Sequence, residues 1–198
     1  MRKLRAAVFG TGFMGKVHTE AIRRLGGVEV AAVAASTEDK ARDFAEAHWI
    51  PRATADWKIL CADPGIDAVH ICTPNALHFP MAKAALEAGK HVLLEKPLTM
   101  DVAEAEELLA LAEARGVAHC VNHNLRAYPV VQQARAMIAA GELGEILIAQ
   151  GTYYQDWLLY DSDYNWRVEE AGNGSLRAMG DIGSHWMDLV QHLTGLRI

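Results

Sequence analysis

Val8-Phe9-Gly10-Thr11-Gly12-Phe13-Met14-Gly15-Lys16-Val17-His18 decides how this chain folds. Its glycines have the form G-x-G-x-x-G and follow directly on the short apolar run 5–9. Met14, Val17, His18, Ala21, Ile22 and Leu25 then recur at spacings of three and four, the period of a helix. Strand, glycine turn and helix form the context in which the motif carries meaning. Gly10 lets the chain turn sharply out of the strand, Gly12 lets backbone approach a pyrophosphate with no Cβ in the way, and Gly15 lets the helix pack close to the strand. The free N–H groups and positive end of the helix then face the phosphates. Gly10, Gly12, Phe13, Met14 and Gly15 are therefore cofactor-binding candidates. The plainer alternative is a glycine-rich turn with no ligand.

Outward from the motif, Gly26-Gly27 stops the helix over 14–25, and 28–33 reads as a second strand. In a dinucleotide fold an acidic residue about 20 positions past the glycines binds the adenosine ribose of NAD. Here that place reads Ala34-Ala35-Ser36-Thr37, with no carboxylate. Ser36 and Thr37 can hydrogen-bond a 2′-phosphate, and Lys40 or Arg42 can add charge one turn on, which leans towards NADP. Alternatively, Ser36 caps the helix expected over 37–48.

Further on, 50–54 reads as a short edge strand, 56–61 as a helical turn and 68–72 as a buried strand. A helix over 80–88, a strand over 91–94, a helix over 101–115 and a strand over 117–121 follow. Short apolar strands alternating with helices imply βαβ units and a doubly wound parallel sheet of Rossmann type over 1–122. Ligands of such sheets sit outside the carboxyl ends of the strands. Those ends carry Gly10–Gly15, Ser36, 73–78, Glu95-Lys96-Pro97 and 122–126.

The pattern changes after Asn122. A helix over 129–140, a long strand over 145–154, an aromatic polar loop over 155–174 and a helix running from about Asp181 to Gly195 suggest an α+β substrate domain over 123–198.

Composition narrows the class. The 198 residues carry 51% hydrophobic and 22% charged side chains, as in ordinary globular proteins. The formal charge of −6 gives no ground for general nucleic-acid binding. Cys61, Cys72 and Cys120 are odd in number, far apart and without metal spacing, so reduced thiols in a cytoplasmic protein are expected. No run approaches a membrane span, and the N-terminal apolar run reads as a strand rather than a signal peptide. No metal site is expected from His119, His123, His185 and His192, which lack a recognised spacing.

Two groups are candidates for proton chemistry. Lys96 stands at a strand end on the expected rim, where desolvation against a cofactor would let its amine exchange protons with a hydroxyl; an ordinary surface lysine is the alternative. Asp181 and His185 stand four apart, which suits an imidazole acting on a substrate hydroxyl beside a carboxylate. Alternatively Asp181 is an N-cap and His185 a half-buried helix residue. Trp166 and Arg167 can supply an aromatic wall and a hydroxyl-binding cation, or Trp166 can be core. His18, His70 and His91 read as packed or surface histidines.

Taken together, Gly10–Gly15 with His18, Thr73-Pro74-Asn75 with His78, Gly89 through Glu95-Lys96-Pro97, and Gly180-Asp181 through His185 resemble the Gfo/Idh/MocA family of oxidoreductases across the whole chain. The resemblance implies a dehydrogenase or reductase acting on CH–OH groups, passing a hydride between NAD(P) and a sugar or cyclitol. It implies Lys96 as the catalytic group, with Asp181 and His185 on substrate hydroxyls and assisting proton transfer. Thr73, Pro74 and Asn75 would line the nicotinamide side, His78, Glu95 and Lys96 would belong to the cofactor surface, and Arg126, Trp166 and Arg167 to the substrate pocket. It also implies a homo-oligomer, because the family's second domain is an open antiparallel sheet that commonly forms the oligomer interface. Family members run considerably longer, so a C-terminally truncated chain is expected. The rival expectation is an inactive nucleotide-binding or partner-binding module.

Overall fold

The computed structural model describes residues 2–170, 174 and 176–198, the side chain of Trp166 excepted. The chain divides into two compact units, 1–122 and 123–198.

The first unit is built on six parallel strands. They are β1 (Leu4–Phe9), β2 (Val28–Ala34), β3 (Ala53–Thr54), β4 (Ala68–Ile71), β5 (His91–Leu94) and β6 (His119–Val121), in the order β3-β2-β1-β4-β5-β6. The helices are α1 (Phe13–Arg24), α2 (Glu38–Ala47), α3 (Trp57–Ala62), α4 (His78–Glu87) and α5 (Val102–Arg115). The order reverses at β1, so the doubly wound sheet expected from the alternation is the one that forms.

Alternation along β1 explains the two layers. Ala7 and Phe9 face a core with Val69, Ile71, Val92 and Leu94, closed by Leu60, Met81, Ala85, Leu86 and Leu108 of α3, α4 and α5. Ala6 and Val8 face the opposite core with Val30 and Val33, closed by Ile22 and Ala45 of α1 and α2. A strand buried on both faces reads as a continuous apolar run, as 6–9 does.

Local chemistry sets the helix ends. Thr37, not Ser36, caps α2: its side chain accepts from the Lys40 N–H, and the helix begins at Glu38. Asp56 and Asp101 cap α3 and α5 in the same way. Helix α4 begins two residues before the expected Pro80, after a 3₁₀ turn over Asn75–Leu77. Proline is tolerated in a first turn because its missing N–H would have no partner there.

The second unit holds α6 (Pro129–Ala139), a 3₁₀ turn over Trp166–Val168, a π turn over Met179–Gly183 and α7 (Ser184–Thr194), closed by left-handed Gly195. The strand expected over 145–154 is not formed: among the described residues of this unit no strand is present. Leu147, Ile148 and Tyr154 are exposed. β propensity expresses itself only against a partner that completes the hydrogen-bond ladder. Gly151 backs onto α7, where a Cβ would lie 2.5 Å from Trp186 Nε1. Among the described residues no helix is long and apolar enough to cross a membrane.

Candidate active site

Ladder hydrogen bonds continue past the strands and align their carboxyl ends side by side. Gly10 N–H donates to Ala34 (2.8 Å), Cys72 N–H to Phe9 (2.8 Å), Glu95 N–H to Ile71 (2.9 Å) and Asn122 N–H to Leu94 (2.8 Å). The glycine turn, the Thr73 loop, Glu95-Lys96 and Asn122 therefore emerge from one rim.

The three motif glycines are not equivalent. Gly10 has φ +103°, and a Cβ there would lie 2.5 Å from the Cys72 carbonyl oxygen. A Cβ on Gly15 would lie 2.0 Å from the Gly10 carbonyl oxygen. Both positions are closed to any larger residue by the protein's own backbone. A Cβ on Gly12 would meet nothing within 4 Å. Gly12 is the N-cap of α1, with no side-chain cap and no acidic residue in the first turn. The turn thus leaves uncapped first-turn amides facing open space, a cradle a Cβ would fill and a phosphate fits. Phe13 is exposed beside it, and Met14 is half-buried.

At the end of β2, Lys40 Nζ donates to Ser36 Oγ at 3.3 Å, so these two come together while Thr37 is occupied as the helix cap. The Arg42 guanidinium is paired with Asp39 at 2.5 Å.

Beyond β4, Thr73 Oγ1 donates to Met81 Sδ at 3.6 Å, Asn75 opens the 3₁₀ turn, and Pro74 is exposed. His78 is fully buried, its Nδ1 2.7 Å from the Pro97 carbonyl and its Nε2 3.0 Å from that of Thr73. Burial lowers its pKa below the ordinary value despite those carbonyls, so the ring is neutral near neutral pH and donates to one of the two. Its position is therefore behind the rim, bracing two segments of it. Lys96 is half-buried.

Glu95 turns inward. It is 7% exposed, and its Oε1 accepts from His18 Nε2 (2.9 Å) and Asn122 Nδ2 (2.5 Å). His18, 4% exposed, meets His70 through facing Nδ1 atoms at 3.0 Å. Burial would raise Glu95; the His18 and Asn122 hydrogen bonds, with the charges of His18 and Lys96, outweigh it and hold the carboxyl below its usual range. Burial, then His18, push His70 down to about 4. Sequence reasoning placed these histidines in the interior or on the surface but missed that His18 meets Glu95 and His70 meets His18. The available signal was His18 lying three residues past Gly15, on the buried face of α1.

In the second unit, Arg167 Nε lies 3.5 Å from Asp181 Oδ1. Asp181 sits in the π turn, and the N-cap of α7 is Gly183, so Asp181 is not the cap. His185, in the first turn of α7, packs edge-on against His123 (ring centroids 5.7 Å) and Tyr153 (6.2 Å). Arg126 forks onto Asp188, its Nε 2.7 Å from Oδ2, and His123 Nδ1 lies 3.8 Å from the same oxygen. The pocket expected from Trp166 rests on a side chain outside the described residues. Among the described residues no group of three or more His, Cys, Asp or Glu is placed to hold a metal ion.

Comparison with known proteins adds the following. Residues 4–123 match the profile described as "Oxidoreductase family, NAD-binding Rossmann fold", and residues 131–198 the "GFO/IDH/MocA C-terminal domain". Levoglucosan dehydrogenase of Pseudarthrobacter phenanthrenivorans is 35% identical over 98% of this chain and 52% of its own length. The 1,5-anhydro-D-fructose reductase of Ensifer adhaerens is 35% identical over 86% of this chain and 50% of its own. A solved structure of levoglucosan dehydrogenase in complex with NADH and levoglucosan superposes with a TM-score of 0.92 at 34% identity, covering 98% of this chain and 55% of that one. The chain spans about half the length of the curated relatives it matches.

Proposed function

Since the chain belongs to the GFO/IDH/MocA oxidoreductase family, we propose that it serves an NAD(P)-dependent dehydrogenase or reductase of a sugar or cyclitol, acting on a CH–OH carbon or the corresponding carbonyl. The observation that carries this reading is the glycine turn: Gly10 and Gly15 are closed by backbone, and Gly12 opens an uncapped helix end to solvent. Residues 1–122 form the cofactor domain in this reading, and 123–198 part of the substrate and oligomer domain.

The nicotinamide ring, when bound, accepts or supplies the hydride. The amides around Gly12, Phe13, Met14 and Gly15 hold the pyrophosphate. Ser36 and Lys40, with Thr37 beside them, receive a 2′-phosphate, which favours NADP. Thr73, Pro74 and Asn75 line the nicotinamide side, and His78 supports them from behind. In oxidation the Lys96 amine takes the proton from the substrate hydroxyl; in reduction its ammonium returns it. Asp181, His185, Arg126 and Arg167 contact the sugar hydroxyls, and Asp181 and His185 assist the proton transfer. The three free cysteines and the reduced thiols they imply suit a cytoplasmic setting. A homo-oligomer belongs to this reading, because the exposed apolar segment 145–154 has no partner strand among the described residues.

The test is nicotinamide-fluorescence titration with NADH and NADPH, followed by turnover on levoglucosan, 1,5-anhydro-D-fructose and a panel of aldoses and inositols. Saturable binding and turnover abolished by Lys96→Ala, with cofactor affinity retained, is the expected result. No cofactor binding by a folded chain would refute the reading.

A further inference from the structure

We infer that Glu95 is a positioning residue for Lys96: a buried carboxylate, gripped by His18 and Asn122, that fixes the strand end and the electrostatic setting of the amine beside it. This rests on the proton-transfer role proposed for Lys96.

The geometry carries the inference. A carboxylate buried at this depth is costly unless donors satisfy it, and Glu95 has two on one oxygen, at 2.9 and 2.5 Å. Those donors come from opposite sides of the rim: His18 from α1, the helix that begins at the glycine turn, and Asn122 from the end of β6. Glu95 thereby ties the cofactor helix to the strand end that bears Lys96.

The proton count follows from the contacts. Glu95 Oε1 is an acceptor, so His18 Nε2 carries a hydrogen. The facing Nδ1 atoms of His18 and His70 then share a single hydrogen between them. The network closes with Glu95 ionised and His70 neutral. Around the carboxylate stand His18 and, behind it, His70, with Cys72 and His78 near the end of β4, and Lys96 on its own segment. Burial and the Glu95 charge push the Cys72 thiol up, and burial keeps His78 neutral. Lys96 is thus the adjoining cation that a fixed anion would influence, through an interior that screens poorly.

The experiment uses the 198-residue chain and reads Lys96 directly. Its amine is labelled competitively with acetic anhydride across pH and quantified by peptide mass spectrometry. Glu95→Gln keeps the shape and the acceptor oxygen and removes only the charge. We expect the Lys96 labelling midpoint to fall by about half a pH unit or more, while the midpoints of exposed lysines elsewhere in the chain stay at their parent values. Glu95→Asp restores the parent midpoint in part. The pair Glu95→Leu with His18→Leu, which removes the charge together with a donor it would strand, moves the midpoint the same way and decides the matter where Glu95→Gln does not fold. An unmoved Lys96 midpoint in a folded variant, or a fall shared by the exposed lysines, overturns the inference. A chain that binds NADH and turns over no sugar counts against the dehydrogenase reading alone, since the labelling midpoint is measured without turnover.

Discussion

His78 Nδ1 lies 2.7 Å from the carbonyl oxygen of Pro97, and the same ring reaches the Thr73 carbonyl at 3.0 Å through Nε2. One fully buried imidazole thus clamps the segment after β4 to the segment after β5. His78→Ala leaves a cavity and one unpaired carbonyl and is expected to cost about 3 kcal/mol. Urea unfolding measures this. Glutamine, which keeps one donor, should recover part of the loss, and an alanine variant as stable as the parent would mean the clamp carries no load.

The glycines predict a contrast. Gly15→Ala drives a Cβ into the Gly10 carbonyl oxygen and should destabilise the first unit and abolish NADH binding together. Gly12→Ala meets open space at φ −77°, so its melting temperature should match the parent while NADH affinity falls at least about tenfold. Calorimetry and fluorescence titration on the two variants separate fold from cradle. If Gly12→Ala binds as the parent does, phosphate does not approach there.

Cofactor choice is expected to follow Ser36 and Lys40, which meet at 3.3 Å. Ser36→Asp introduces a carboxylate against a 2′-phosphate and supplies an acceptor for ribose hydroxyls. The ratio of NADPH to NADH affinity should fall about tenfold or more. An unchanged ratio would locate the discrimination elsewhere.

Stability should decline between about pH 7.5 and pH 5. His70 is held at about 4 against an ordinary 6.5, so the unfolded chain takes up its proton first as pH falls. The stability of the neutral, buried ring is whole above 6.5 and is lost progressively towards 4. The loss from His70 over that interval is about 2 kcal/mol. Glu95, depressed in the folded state, withdraws its contribution only at lower pH, as it is protonated. His70→Asn should flatten the curve between the two pH values; the same slope in both proteins would assign the effect to other groups.

Arg126 and Asp188 form a forked pair whose arginine end is 48% exposed and whose aspartate is 12% exposed. A double-mutant cycle with Arg126→Ala and Asp188→Ala should give a coupling of about 1 kcal/mol, at the upper end for such pairs because the contact is bidentate. Asp188→Asn should also release His123, read as a change in its imidazole proton shifts by NMR. Independent, additive losses would mean the fork contributes nothing.

Much of this was readable along the chain. The run 5–9, the glycines and the spacing of Met14, Val17, Ile22 and Leu25 specify β1, the turn and α1, because each obeys a local rule of period or backbone freedom. Helix ends of the first unit were legible to within a residue or two. Asp101 and Gly116 mark α5 by capping chemistry alone, whereas Thr37 and Ser36 both qualify as caps and only the observed hydrogen bond chooses. The segment 145–154 has the composition of a strand, but a strand also needs a partner, and composition holds no information on that.

The amino-acid sequence by itself determined the doubly wound sheet, the position of its glycine turn and the placing of polar residues at strand ends. These follow from periodicity, burial on two faces and the steric needs of glycine, all of which act over a few neighbouring residues. Only the tertiary structure decided that Glu95 faces His18 and Asn122, that His70 completes their contact, and that His78 braces two loops. Those pairings join residues 5 to 77 positions apart. For all but the Thr73–His78 contact, the parallel sheet sets the pairing by bringing strand ends together, and the cost of burying a charge or an imidazole makes each pairing obligatory.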